Sequence, residues 1–305
     1  MLSYETAGDP MSGTKWTRTT TAKLAELLQD SLGISLCKNT VGKLLGELGF
    51  SLKVNKKSIP IKSVPERDLQ FQIIEKRRKE FAAKGAPSIS VDTKKRELVG
   101  PFKNPGTIWT REAIPVYDHD FPSSAEGVAI PYGVYDVQRN LGYIFVGTSK
   151  DTSEFAVNSI GTWWGRHGCK QYRGHKELLI LADAGGSNNP RHRSWNVQIQ
   201  EELCDRYGIS VIVCHYPTGA SKFNPIERRV FSEITKNWAG RPLDSYETIL
   251  NYLDRTATST GLKVRSYLDE NVYETGVKIS DEEMEALNIS KHEVLGRWNY
   301  TIKPR

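Results

Sequence analysis

No apolar run in the sequence approaches the ~18–20 residues needed to cross a bilayer. The opening stretch, MLSYETAGDPMSG, lacks the basic-then-apolar order of a secretory leader. A spanning or secreted protein is therefore not expected, and the cytoplasm is the expected compartment. Cysteine is scarce: Cys37, Cys169, Cys204 and Cys214 form no CxxC pair, and the six histidines include no pair at zinc spacing. A disulfide framework and a zinc site are both set aside, and the thiols are expected to pack as small reduced hydrophobes. If a metal is bound, carboxylates must hold it. No internal repeat and no low-complexity tract interrupts the chain.

What the sequence does have is length for two or three domains in 305 residues, with 38% hydrophobic residues to build cores. It also has a mild excess of positive charge, +6 overall, and an uneven distribution of it. Residues 14–58 carry eight basic side chains (Lys15, Arg18, Lys23, Lys38, Lys43, Lys53, Lys56 and Lys57) against three acidic ones (Glu26, Asp30 and Glu47). Most of the excess is therefore N-terminal, where a polyanion would be drawn.

That basic region has helical periodicity. Leu24, Leu27, Leu28 and Leu32 fall on one face, with Thr20 or Thr21 as cap. After the turn GISLCK, Val41, Leu44, Leu45 and Leu48 fall on another, with Asn39 or Thr40 as cap and Gly49 beyond the end. Two short amphipathic helices joined by a short turn read as a helix-turn-helix. In FSLKVNKK, Phe50, Leu52 and Val54 alternate with polar residues, the pattern of a half-exposed strand or wing. The same pattern fits an ordinary helical hairpin with a solvated basic face. Lys38, Asn39, Thr40 and Lys43 stand where a recognition helix would meet base edges and phosphates, with Lys53, Lys56 and Lys57 behind them.

Residues 59–66 carry two prolines and read as a linker. A charged helix over about 67–84 follows, with Leu69, Ile73, Ile74 and Phe81 inward. From residue 87 the pattern becomes β-strand (PSISVDTK), an irregular insertion over about 98–128, a hairpin around QRNLG, and a helix with Asp151 and Glu154 in capping-box positions. Then come the buried strand ELLILAD, a helix over about 192–207, the buried strand ISVIVCHYP, a helix opened by NPIE, and another over about 244–260. This is an α/β domain with a mixed sheet, and ligands of such sheets sit at the carboxyl ends of strands.

Two strands end in aspartate, Asp92 and Asp183, and a helix directly after a strand and loop opens with Glu227. Each acid has a structural explanation on its own. Asp92 and Asp183 fit chain turns. In NPIE, Asn224 fits the N-cap, Pro225 the first helical position, and Glu227 the position that reaches back to the cap. Together they form a set suited to hard divalent cations, which favour carboxylate oxygens. Lys94 and Lys95 follow the first acid, Lys222 precedes the last, and Arg228 and Arg229 follow it, as a polyphosphate substrate would require. An aspartyl-nucleophile phosphatase is excluded, because SVDTK has no second aspartate.

SVDTKKRELVG, LILADAGGSNNPR and KFNPIERRVFSEITKNW, in this order, resemble the three catalytic blocks of DDE transposases of insertion sequences. More narrowly, they resemble the ISAzo type, and the NPIE block is also similar to the Tc/mariner-like group. The similarity runs from about Pro87 to the C-terminus, taking in AIPYGVYD and WNYTIKPR, and extends back over 14–58. It implies an RNase H-like (integrase-like) catalytic domain over 87–305, a mixed five-stranded sheet flanked by helices. This would follow a small all-α, winged helix-turn-helix domain over 14–58 and a connecting segment over 59–86. It further implies that Asp92, Asp183 and Glu227 bind two Mg²⁺ (or Mn²⁺) ions. The implied reaction is nicking of a transposon end and transfer of the freed 3′-OH into target DNA, on a homodimer bound to double-stranded DNA at the nucleoid, with no membrane involved. Ala184 departs from the asparagine that many Tc/mariner-like relatives carry there, and Asn188 or Asn189 is the expected substitute. The longer spacing of the last two acids points to a different loop over 208–223. The short N-terminal region reads as a truncated copy. Two other functions stay open from sequence: a DNA-binding protein without catalysis, and an RNase H-like nuclease that does not join ends.

Overall fold

The computed structural model describes residues 19–53 and 66–305, together with the backbone of 7–8 and 15–16. The chain divides into two compact units, Met1–Ile59 and Pro60–Arg305.

The first unit contains a two-residue ladder, β1 (Ala7–Gly8) with β2 (Lys15–Trp16), and two helices, α1 (Thr21–Leu32) and α2 (Lys38–Glu47). Thr20 caps α1 by accepting the Lys23 N–H at 3.2 Å, and Gly33, at φ 67°, closes it in the left-handed conformation. Leu24 and Val41 are the buried apolar residues of the pair. Neither Asn39 nor Thr40 caps α2. The helix starts two residues earlier than an Asn39 cap would place it, after Cys37, whose Sγ lies 3.2 Å from Thr40 Oγ1. The expected wing is absent from the described residues: 50–53 form no strand and Leu52 is fully exposed. Val54, Lys56 and Lys57 lie outside the described residues.

The second unit opens with α3 (Arg67–Lys84). Its inward face is Gln70, Ile74 and Phe81; Leu69 is exposed. The inward face is thus turned by one position from the apolar pattern, because Gln70 is drawn in by hydrogen bonds to His215 O and Asn299 Oδ1. Polar satisfaction outweighs one leucine here.

The sheet has nine strands. Those on the main path are β3 (Ser88–Thr93), β5 (Gly127–Asp136), β6 (Leu141–Gly147), β7 (Glu177–Ala182), β8 (Ser210–His215), β9 (Lys263–Asp269), β10 (Ile289–Lys291) and β11 (Asn299–Ile302). The ninth, β4 (Glu97–Val99), pairs with β5 off that path. The order is β10-β11-β8-β7-β3-β5-β6-β9. Its centre, β6-β5-β3-β7-β8, has an antiparallel meander on one side and two parallel crossovers on the other. This is the RNase H-like arrangement. The expected count of five strands is corrected to nine, because β9 extends the sheet beyond β6 and β11 and β10 extend it beyond β8. The insertion between β4 and β5 is irregular apart from one short turn, Pro122–Ser124.

Alternation along each strand sends one set of side chains to each face. One face packs on α4 (Ser153–Trp163) and α5 (Arg193–Ile199). Both helices run on through π-helical stretches, Trp164–Gly168 and Gln200–Asp205. The other face packs on α3 across β7 and β8. Across β5 and β6 it packs on the helix that begins as the π-helical stretch Glu227–Phe231 and continues as α6 (Ser232–Trp238), and on α7 (Tyr246–Asp254). A short α8 (Asp281–Glu285) carries a complete capping box, Ser280 with Glu283. Helix α4 is capped by Thr152, whose hydroxyl accepts the Phe155 N–H, and not by Asp151. Among the described residues no helix is long and apolar enough to cross a membrane.

Candidate active site

Strand β3 reads SISVDT, and its alternation is the key to the site. Ile89 and Val91 enter the core under α4, so Ser88, Ser90 and Asp92 face the other way. All three are buried. A buried polar row needs partners, and the NPIE turn supplies them. Ser90 Oγ lies 2.5 Å from Asn224 Oδ1 and 3.0 Å from the Ile226 N–H, while Asn224 Nδ2 donates to Val91 O at 2.9 Å. The helix that begins at NPIE is therefore capped by a serine on the neighbouring strand. Asn224 is fully buried and acts as a tether, so the expected Asn224–Glu227 capping box does not form. Its main-chain oxygen still accepts the Glu227 N–H at 3.2 Å. Gly133, paired with Asp92 across the β3–β5 ladder, leaves room for this docking. A Cβ there would lie 2.5 Å from Ile226 Cδ1 and 2.8 Å from Phe231 Cε1.

The two aspartates meet by register. Val91 pairs with Ala182 in parallel, so Asp92 and Asp183 follow side by side at the carboxyl edge. With Thr93, Lys94 and Asp151 they line a cavity of about 310 Å³, to which Lys95, Arg96, Gly185, Gly186 and Ser187 also contribute. Glu227 is outside that lining, yet its carboxyl acts on that of Asp92. Burial, reinforced by the charges of Asp183 and Glu227, pushes the Asp92 carboxyl up to about 9. Burial also raises Asp183, to about 6, against hydrogen bonds from Gly185 N–H and the Asn188 side chain; Glu227 and Asp151 add to the rise. Glu227 is raised by burial as well, opposed by Asp92 and by the Lys94 charge. Three acids that hold protons against their ordinary range form a site short of positive charge. Asp183 Oδ1 is buried and has no hydrogen-bond partner. That orphaned oxygen and the all-carboxylate donor set fit a hard cation. As they stand, no three His, Cys, Asp or Glu side chains among the described residues are gathered into a ready ligand cluster.

The basic residues divide. Lys94 is buried, paired with Glu97 at 2.8 Å and stacked 4.4 Å from the Trp238 ring centroid. It lines the same cavity, and its charge acts on Glu227. Lys95, Arg228 and Arg229 are exposed, and Lys222 lies over the Phe223 ring at 5.2 Å. In the first unit Lys38, Asn39, Lys43 and Lys53 are exposed and Thr40 is half-buried.

Sequence reasoning missed two residues. Asp151 was assigned to a cap, yet it accepts Thr93 Oγ1 at 3.1 Å inside the cavity. Arg96 was passed over between Lys95 and Glu97. Of the two asparagines expected to stand in at Ala184, Asn188 reaches Asp183 and is itself held by Tyr132 OH at 2.8 Å. Asn189 instead caps the Arg191 N–H.

Residues 1–304 match the family model described as the Rhodopirellula transposase DDE domain. The chain belongs to this transposase family. It is a DDE-type DNA transposase, a polynucleotidyl transferase with endonuclease chemistry, and the two other readings left open by the sequence are not favoured. Among solved structures, the chain is similar to the Mos1 transposase paired-end complex with the left transposon end. Identity is 15%, 81% of this chain and 73% of that chain are covered, and the TM-score is 0.45. It is similar also to Mos1 mariner paired-end complexes with Mn (16% identity, 81% and 73% covered, TM-score 0.44) and with Mg (14% identity, 81% and 74% covered, TM-score 0.45). No curated protein matches the chain.

Proposed function

We propose that this DDE transposase uses Asp92, Asp183 and Glu227 to hold divalent cations, two Mg²⁺ or Mn²⁺ ions, at the carboxyl edge of the sheet. The observation that carries this reading is the unpartnered, buried Asp183 Oδ1 beside an Asp92 whose carboxyl is pushed far above its ordinary range. When bound, such ions supply Lewis-acid stabilisation of the attacking and leaving oxygens in an in-line phosphoryl displacement. The chain's own part is to fix geometry and charge. The Ser90–Asn224 tether holds Glu227 against Asp92. Asn188 orients Asp183, and Lys94 balances the negative charge from within.

The substrate in this reading is double-stranded DNA, namely the transposon's terminal inverted repeats and the target. Lys95 and Arg96 at the cavity, with Lys222, Arg228 and Arg229, meet its phosphates. The two helices over 21–47 act as a helix-turn-helix, with Lys38, Asn39, Thr40, Lys43 and Lys53 toward the DNA and Lys56 and Lys57 adding charge. Residues 87–305 form the catalytic domain, and two copies act together on paired ends. The deciding experiment is nicking and strand transfer on DNA bearing the element's own terminal repeats, with Mg²⁺ present. Asp92→Asn is expected to abolish both while DNA binding persists. Undiminished activity in that variant, or in EDTA, would refute the assignment.

A further inference from the structure

A chain of buried hydrogen bonds runs from α5 through the sheet edge to the residue Asp183. His215 ends β8 and pairs with Ala182, the last residue of β7. Its ring is fully buried. Nδ1 lies 2.9 Å from the main-chain oxygen of Asp183, and Nε2 lies 3.0 Å from the Tyr300 hydroxyl. The same hydroxyl is 2.8 Å from Trp195 Nε1.

The chemistry of these atoms fixes the direction of every bond. A carbonyl oxygen only accepts, so Nδ1 carries a hydrogen and donates to Asp183 O. An indole N–H only donates, so the Tyr300 oxygen accepts from Trp195. The Tyr300 hydroxyl, buried on a residue 3% exposed, has a hydrogen of its own to place, and Nε2 is the acceptor it faces, so Nε2 carries none. The Tyr300 hydroxyl then donates to it. One arrangement results: Trp195 to Tyr300, Tyr300 to His215, His215 to Asp183.

The reason for such a chain lies in the ladder. The Tyr216 N–H donates to Ala182 O at 2.8 Å, and this is where main-chain pairing between β7 and β8 stops. The next carbonyl, that of Asp183, follows the last β7–β8 pair, and a carbonyl drawn partly out of water needs a donor. The ring of His215 provides it and so extends the ladder by one residue. His215 is itself clamped at both ends. Its N–H donates to Trp298 O at 2.9 Å, and its carbonyl accepts Gln70 Nε2 at 2.8 Å. Gln70 and Asn299 exchange reciprocal bonds of 3.0 and 2.7 Å.

We infer that His215, held in the Nδ1–H tautomer by Tyr300 and Trp195, is a positioning residue that fixes the main chain of Asp183 and thereby aims its carboxylate. The inference rests on Asp183 being a carboxylate of the reaction site. It requires no contact between His215 and DNA or metal.

The test uses the full-length chain and two substitutions that separate the ring's two nitrogens. In His215→Asn the amide nitrogen falls near the place of Nδ1 and keeps a donor for Asp183 O. In His215→Gln the amide falls near the place of Nε2, and that donor is lost. Mg²⁺-dependent nicking is followed as kcat and KM on terminal-repeat DNA. The Gln variant should lose about tenfold or more in kcat, the scale of outer-layer changes around ligating groups. The Asn variant should stay within about threefold, below that scale, and KM should be unchanged in both. Equal losses in the two variants at equal melting temperature would overturn the inference. Nitrogen NMR of the unmutated protein reads the tautomer directly and needs neither variant to fold. The Nδ1–H form, converted to a mixture by Tyr300→Phe, is expected. An Nε2–H ring in an active protein overturns the inference alone. A correct tautomer in a protein that nicks nothing would instead sink the reading of the carboxylates, and the positioning role with it.

Discussion

Ser90 on β3 and Asn224 in the NPIE turn face each other at 2.5 Å inside the protein, and through this pair a strand caps a helix that is 134 residues away in sequence. Ser90 Oγ also accepts the Ile226 N–H, so one hydroxyl serves two buried groups. Ser90→Ala should therefore destabilise the second unit by about 1–3 kcal/mol, the cost of leaving buried polar groups unmade. Denaturant unfolding measures that loss. Nicking should fall more steeply than stability, because the same change frees Glu227.

Glu227 takes no part in a capping box, so Glu227→Gln should leave the start of its helix undisturbed. Metal-free melting should be unchanged or slightly raised, since a raised carboxylate is removed from a crowded acidic site. Mg²⁺-dependent cleavage should drop by about 100- to 1,000-fold, the scale of removing one preorganised charge. Retained cleavage at the wild-type rate would show that Glu227 is dispensable.

The acids give the site a definite pH response. Asp92 in the folded chain holds its proton up to about 9, against an ordinary 3.8, and Asp183 up to about 6. In that window the folded metal-free protein binds more protons than the unfolded chain, so its stability falls as pH rises from about 4 toward 9. Divalent cations need the ionised carboxylates. Mg²⁺ or Mn²⁺ affinity should thus rise with pH over the range from about 6 to about 9, with protons released on binding. Calorimetry in buffers of different ionisation enthalpy would show the release; a flat affinity across the range would contradict it.

Gly133 stands opposite Asp92 with Ile226 and Phe231 packed over it, both buried. Gly133→Ala should cost about 1–3 kcal/mol through overpacking. It should also separate Glu227 from Asp92, so that cleavage falls while DNA affinity does not. A thermal melt and a gel shift on the same preparation would tell these effects apart.

The three acids were legible in sequence because two close apolar runs and one opens a helix, and strand ends in such sheets are where ligands sit. The central strands, α3 and the helix after β6 were legible from periodicity. What was hidden depends on long-range partners. SISVDT reads as a β-branched run, and only the docked NPIE turn shows why its second face is polar. Asp151 stands where a capping box would use it, but Thr152 next to it takes the cap and leaves the carboxylate to the cavity. Nothing in SVDTK shows that Lys94 is buried, because Trp238, on which it stacks, is far away in sequence. The edge strands β9 and β10 lack the strong apolar runs of the centre, since edge strands bury less, and β11, though buried, is only four residues long with a buried polar Asn299. Gln70 was passed over for Leu69 because hydropathy carries no record of a hydrogen-bond partner 229 residues away.

Strand β11 comes after every other strand, yet its Tyr300 bonds the histidine that borders Asp183, and its Asn299 reaches that histidine through Gln70. Every acid of the site is synthesised by residue 227, more than seventy residues before these partners emerge from the ribosome. A nascent chain paused in between would carry all the carboxylates without the strand that steadies them.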